Sequence, residues 1–393
     1  MKLFVIGCGR CGGRVADRFA EIGRTARSDR RLDIVLGTLA VATTSVELNN
    51  LAFVADDLSR GVVIGAERTG GRGVGRENEL AAEIAREEGD RVLRAVADSP
   101  RSLDADAFLL IAAAAGGTGS GAVSVLTRQL KERYPEKPAY NLIILPTVQE
   151  ERAEPAAVIN AATCLKSAYV MAEAVFLVDN EKLIGKDSSL RDHPERTNAA
   201  VVQPFYNLLC AGEERNPRFI GAKTLDAGDI VQSLSGWTAI GYAQGKAHKV
   251  VPELSIDDTH PSGDEVGTVQ RAGRLVHDAL NDLSLECKAC DARSALYLLT
   301  APHEAVNINH IQELGGTLKR VAEHAIIRGA DYPREKRSME LSLILSEIVE
   351  VPRVTGFFDK ALQRSPRARA RRGPRDEHAK PDEEAFSDIP LLV

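Results

Sequence analysis

The sequence predicts an α/β protein, with a parallel sheet in the first half of the chain followed by a smaller α+β domain. Three observations carry that prediction. Leu3–Ile6 and Phe108–Ala114 are apolar without polar alternation, as strands covered on both faces of a parallel sheet are. Each runs into a glycine-rich turn and then a helical stretch, the alternation that builds βαβ units. Beyond about residue 211 that alternation gives way to mixed helix and strand signals.

In chain order, Leu3–Ile6 is a strand, Gly7-Cys8-Gly9-Arg10-Cys11-Gly12-Gly13 turns the chain, and Arg14 to about Ile22 is a helix. A second strand near Val35–Val41 ends in Thr43-Thr44-Ser45. Residues 53–76 carry many glycines and read as a long loop, after which Glu77 to about Ala97 is helical. Phe108–Ala114 leads through Gly116–Gly121 into a helix that stops near Pro135, and Leu142–Leu145 and Val175–Val178 are further buried strands. A long, largely apolar helix covers about Asn198–Ala211, and strands recur at Ala295–Thr300 and Leu341–Ile348. The domain boundaries expected are 1–195 for the first domain, 196–213 for a central helix, 214–356 for the α+β domain and 357–393 for a disordered tail. That tail holds a basic block (Arg364, Arg367, Arg369, Arg371, Arg372, Arg375), then acidic residues, then the apolar tip Ile389-Pro390-Leu391-Leu392-Val393.

Composition narrows the function classes. Of the 393 residues 44% are hydrophobic and 27% charged, the mixture of a globular protein. A net charge of -6 argues against a generally basic nucleic-acid binder, so no nucleic-acid partner is expected. No apolar run approaches the roughly 18–20 residues of a membrane span, and Lys2-Leu3-Phe4 opens a strand rather than a signal peptide. A cytoplasmic location is expected. The cysteine pairs Cys8/Cys11 and Cys287/Cys290 stand in opposite halves of the chain, whereas zinc pairs usually lie about 15–20 residues apart. Semi-buried thiols are expected rather than a zinc site or a redox pair.

The glycine-rich turns carry the chemistry. Gly7-x-Gly9-x-x-Gly12 lets backbone approach a phosphate, and the helix it opens offers unpaired N–H donors and a positive dipole end. Alone it also describes a dinucleotide fingerprint, which makes an NAD-dependent oxidoreductase one reading. Such an enzyme wants an acid at the tip of the second strand, and Ala42-Thr43-Thr44-Ser45 supplies none. Nor does that reading explain Gly116-Gly117-Thr118-Gly119-Ser120-Gly121. Two such loops outside the carboxyl ends of strands can surround one chain of phosphates, with the hydroxyls of Thr118 and Ser120 as added donors. Neither loop ends in Lys-Ser/Thr, so neither is a P-loop.

Ala115-Gly116-Gly117-Thr118-Gly119-Ser120-Gly121 closely resembles the GGGTGTG or GGGTGSG signature of the tubulin/FtsZ superfamily, with Ala115 in place of the first glycine. The resemblance covers nearly the whole chain. Gly73-Val74-Gly75-Arg76-Glu77-Asn78-Glu79-Leu80 is similar to the third phosphate loop in the form archaeal CetZ proteins carry. Val178-Asp179-Asn180-Glu181 and Asn198 resemble the two places whose asparagines meet guanine. Thr224-Leu225-Asp226-Ala227-Gly228-Asp229-Ile230 resembles the catalytic loop, and Gly236–Ala243 fits the strand after it.

The resemblance implies a Rossmann-like GTPase domain joined by a long central helix to a smaller α+β domain. It implies GTP and GDP as ligands, with Mg²⁺ held mainly through the phosphates rather than by a protein cage. The implied nucleotide contacts are Gly9, Arg10, Cys11, Gly12, Thr43, Gly73, Gly75, Gly116, Gly117, Thr118, Gly119 and Ser120, with Glu150 or Glu154 at the ribose and Asn180 and Asn198 at the base. Copies of the chain would stack head to tail, and Asp226 and Asp229 would act on the nucleotide of the next subunit. Asp226 and the two asparagines also have an ordinary helix-capping reading. Ala42, where the family usually has asparagine, and Ala115 leave open a polymer that hydrolyses little. The CetZ likeness implies an archaeal cell-shape role. Phe386–Leu391 resembles the peptide by which FtsZ meets membrane-tethering partners, so a division-ring role and a partner at residues 386–393 stay open.

Overall fold

The computed structural model describes residues 1–49, 51–52, 61–187, 189, 194–246, 273–302, 308–335, 338–364 and 389–393. They form two compact units, one from Lys2–Val202 with Val351–Val393, the other from Met1 with Gln203–Glu350.

The first unit begins with β1 (Leu3–Cys8), α1 (Gly9–Arg30), β2 (Val35–Ala42), α2 (Ser45–Leu48), β3 (Gly61–Val63), α3 (Ala66–Thr69) and α4 (Asn78–Ala97). It continues with β4 (Ala107–Ala113), α5 (Thr118–Arg133), β5 (Ala139–Leu145), α6 (Val148–Ala153), α7 (Pro155–Met171), β6 (Ala174–Asp179), α8 (Asn180–Lys186) and the start of α9 (Pro194–Ala211). Its strands pair in parallel in the order β3-β2-β1-β4-β5-β6. The connections run outward from β1 and then return to its other side at β4, so the order reverses between those two strands. In open α/β sheets, ligands bind at that reversal, beyond the carboxyl ends of the strands.

The strands follow the apolar runs, while several helices depart from their expected limits. α1 begins at Gly9 rather than Arg14 and runs on to Arg30. Gly23, which reads as a helix stop, is a packing contact, because a Cβ there would lie 2.8 Å from Cβ of Val35. The expected loop over 53–76 contains β3 and α3, and residues 53–60 lie outside the described residues. α7 had no counterpart in the sequence reading. It is apolar nearly all round and shows no 3.6-residue stripe, as a helix buried in a large domain does. α9 starts at Pro194, a residue suited to a first helical turn, so Asn198 lies inside the helix rather than at its opening.

The second unit holds the rest of α9, then α10 (Ala227–Ser233), β7 (Gly236–Lys246), α11 (residues 273–281), β8 (Ala292–Ala301), α12 (Ile308–Val321), β9 (Ile326–Pro333) and β10 (Ser338–Ile348). Its sheet order is β7-β10-β8-β9, antiparallel except for the β8–β9 pair. The amino group of Met1 belongs here, donating to the Leu209 carbonyl at 3.1 Å and pairing with Glu213 at 3.1 Å.

α13 (Pro352–Arg364) returns to the first unit, so the tail expected from residue 357 is corrected. Phe357 and Phe358 are buried on this helix, while Arg353 and Lys360 pair with the buried Glu151 at 2.6 and 2.7 Å. Residues 365–388 lie outside the described residues. Ile389–Val393 lies against the first unit, with Ile389 3% and Leu392 4% exposed. Among the described residues no helix is long and apolar enough to cross a membrane.

Candidate functional site

A cavity of about 780 Å³ opens at the carboxyl ends of β1 and β4, within the ~300–1,000 Å³ usual for small-ligand sites. Gly9, Arg10, Cys11 and Arg14 line it from the start of α1, and Ala115, Gly116, Gly117, Thr118 and Gly119 from the start of α5. Gly75 and Arg76 close another side, with Thr147 and Glu150 around α6. Asn180 and Ile184 of α8 and Thr197, Asn198 and Val201 of α9 complete the wall. Two helix N-termini, with their unpaired N–H groups, therefore open onto one space.

Glycine is required behind the cavity and leaves room in front of it. A Cβ on Gly12 would sit 2.1 Å from the Ile111 carbonyl oxygen of β4, and one on Gly119 would sit 2.7 Å from the Cys8 oxygen of β1. Each helix is thus pressed onto the other loop's strand. A Cβ on Gly116 would meet nothing closer than 3.9 Å, and one on Gly75 nothing within 4 Å. Those open sides leave room for ligand atoms to approach the backbone. Ala115 lines the cavity with negative φ, so its methyl adds bulk without backbone strain.

Five of the expected contacts do not line the cavity. Gly12 is the packing contact just described. Thr43 is buried, its Oγ1 2.8 Å from Oγ1 of Thr118, and so steadies a hydroxyl that does face the cavity. Ser120 turns its hydroxyl back to the Gly116 and Gly117 carbonyls. Gly73 has φ +78° and supports the turn before Gly75. Glu154 pairs with Arg76 at 3.2 Å, whereas Glu150 lies on the wall, in a capping box with Thr147. Of the two rival acids, only Glu150 faces the space.

Asn160 of α7 was missed by sequence reasoning. Its buried amide nitrogen donates to the Arg76, Ala115 and Gly116 carbonyls at 2.9, 3.2 and 3.1 Å, so one side chain holds two loops. Asn78 adds a second tie, donating to Oγ1 of Thr163 at 2.8 Å. A polar residue inside the apolar run Val158–Ala162 was the available signal, since buried amides need partners.

The charges at the wall suit an anion. Arg10 and Arg14 are on it, with Arg76 at the Glu154 side. Glu47 also lines it. Burial raises the Glu47 pKa and Arg10, 3.8 Å away, opposes that rise; its Oε2 is buried without a hydrogen-bond partner. Burial pushes the Cys11 thiol up to about 11 and the Cys8 thiol up to about 12, so both are neutral at pH 7 and do not repel phosphate. Behind Asn180, Asp179 caps α8; burial raises its pKa, against the pull of Arg353 at 3.2 Å.

Asp226 and Asp229 belong to the second unit. Asp226 is exposed and is the N-cap of α10: its Oδ1 accepts from the Asp229 N–H at 2.7 Å, and Oδ2 of Asp229 accepts from the Asp226 N–H at 3.3 Å. The capping reading is therefore realised, and it uses one oxygen of each carboxylate. The loop before them is tied by Asp331, which accepts from the N–H groups of Ala222 and Lys223 at 3.1 and 2.8 Å.

Residues 2–186 match the model of the Tubulin/FtsZ family, GTPase domain, and residues 187–363 match that of Tubulin-like CetZ, C-terminal domain. The tubulin-like protein CetZ1 of Haloferax volcanii is 30% identical over 381 residues, 92% of each chain. The GDP-bound monomer structure of that CetZ1 superposes with a TM-score of 0.77 at 29% identity, covering 92% of this chain and 99% of the other. A GTPγS-bound protofilament of CetZ2 from the same organism gives 0.75 at 26% identity, covering 92% and 98%.

Proposed function

Because the chain belongs to the CetZ branch of the tubulin/FtsZ family, we propose that it binds GTP, stacks head to tail into protofilaments and hydrolyses GTP where subunits meet, as a cytoskeletal filament of cell shape. The observation that carries this reading is the cavity at the β1–β4 reversal, onto which α1, α5 and the open sides of Gly75 and Gly116 all face. The N–H groups at the starts of α1 and α5 would take the phosphates, with Arg10 and Arg14 balancing their charge. Glu150 would meet the ribose hydroxyls, and Asn180 and Asn198 the purine edge. Glu47 fits a hydrated Mg²⁺, which when bound would neutralise phosphate charge.

The catalytic acid would come from the neighbouring subunit. The Asp226 oxygen not used in the cap would accept a hydrogen bond from a water and aim its lone pair at the γ-phosphorus. The water's new O–P bond forms as the bond between the γ-phosphorus and the β–γ bridging oxygen breaks, and the water's proton passes to Asp226 and on to solvent, leaving GDP and inorganic phosphate. Asp229 holds Asp226 in place through the reciprocal cap. The supporting likeness is the protofilament form of the CetZ2 relative.

The test is GTP turnover per subunit across protein concentration, with light scattering in parallel. Asp226→Asn keeps a capping oxygen and removes the charge. Wild-type turnover should rise above a critical concentration, and the variant should lose about 100-fold or more while still binding GTP. Turnover that does not depend on concentration would sink the shared site. Scattering without turnover would favour a nucleotide-gated scaffold.

A further inference from the structure

The last five residues sit in a groove between α4 and α7, away from the nucleotide cavity. Ile389 and Leu392 point in and are buried, while Leu391 is 45% exposed. Three side chains read the backbone between them. The Lys166 ammonium donates to the Ile389 carbonyl, the Leu392 N–H donates to Oγ of Ser167 at 2.9 Å, and the Arg86 guanidinium donates to the Leu392 carbonyl at 2.8 Å. The segment adds no strand to a sheet and continues no helix. Apolar anchors in pockets with main-chain groups held by side chains are the features of peptide recognition.

The connection to this peptide is longer than its own groove requires. Arg364, at the end of α13, donates to the Pro155 carbonyl at the start of α7. Lys166 lies further along that helix, ~17 Å on at 1.5 Å per residue. Residues 365–388 join the two points and could extend at most ~80 Å. A tether of that length reaches a groove on another copy as well as its own. Burying two aliphatic side chains is also offset by ordering five residues, so docking is not held by a large net term.

We propose that Ile389–Val393 and the α4–α7 groove are a detachable pair, and that the groove accepts the terminal pentapeptide of a second copy of this chain. In a filament, neighbours within tether range raise the effective concentration of that peptide and favour exchange. The inference adds a contact between copies that is separate from the nucleotide junction.

The experiment uses full chains with GDP and without polymerisation. An acceptor carries Ile389→Asp and Leu392→Asp, which empty its groove. A donor carries Arg86→Glu and Ser167→Ala, which weaken its groove and leave the peptide intact. A labelled peptide covering Ser387–Val393 should bind the acceptor saturably, at least ten-fold more weakly once Arg86→Glu and Ser167→Ala are added, and bind wild type little because its own tail competes. Donor and acceptor should then associate one to one. No saturable peptide binding, or binding unaffected by the groove substitutions, would overturn the pairing. Peptide binding without association of the full chains, above the peptide's Kd, would overturn exchange between copies. Equal GDP binding by all variants shows that each is folded, and keeps this result apart from the filament reading.

Discussion

Asn160 holds both cavity loops from behind, sharing its two N–H bonds among three carbonyls. Asn160→Asp keeps the shape and sets a carboxylate against those oxygens, which should cost about 2–3 kcal/mol and weaken GDP binding at least ten-fold. A thermal melt and a nucleotide titration check both numbers; unchanged values would remove Asn160 from the site. Glu47 gives a pH prediction. Its folded pKa is raised, so the folded state holds the proton more tightly and stability falls as pH rises past the unfolded carboxyl value of about 4.3. Glu47→Gln should flatten that fall and raise the Tm of the nucleotide-free chain at neutral pH. Equal pH slopes in the two chains would refute it. At this scale the sequence exposes residues set in short motifs, such as Gly9, Thr118 and Asn180. It hides those that act through a distant fold contact, because Asn160 meets Ala115 only once α7 lies against the β4 loop.

Among elements, α1 and α5 show how one residue type serves opposite ends. Gly12→Ala drives a methyl into the Ile111 carbonyl, with no flexible side chain to yield, and should cost at least about 3 kcal/mol. Gly116→Ala meets open space. It should therefore leave the Tm within about 1 °C, a change of the order expected of a substitution that disturbs no packing contact, while its methyl fills the open side of the loop and lowers GTP affinity. Melting and nucleotide binding measured on both variants separate the roles; equal Tm losses would mean that this side is not open. The buried strands were legible because an apolar run in a parallel sheet is a local property. Helix limits were less so. Gly23 reads as punctuation until Val35 is packed beside it, and α7 lacks the stripe that marks a helix at a surface.

For the whole molecule, the α/β and α+β halves follow from where strand and helix signals alternate, but not the return of the chain to its first unit at Val351. Nothing local announces that Arg353 and Lys360 will meet Glu151. A chain ending at Arg364 keeps that clamp and should bind GDP as wild type does. One ending before Phe357 loses two buried aromatic rings and the Lys360 partner of Glu151, and should bind GDP at least ten-fold more weakly. Equal affinity in the two truncations would show that α13 does not support the α6 wall. The same clamp orders events during synthesis. Because α13 follows the whole second unit in the chain, the first unit cannot complete its cavity wall until the second has been translated.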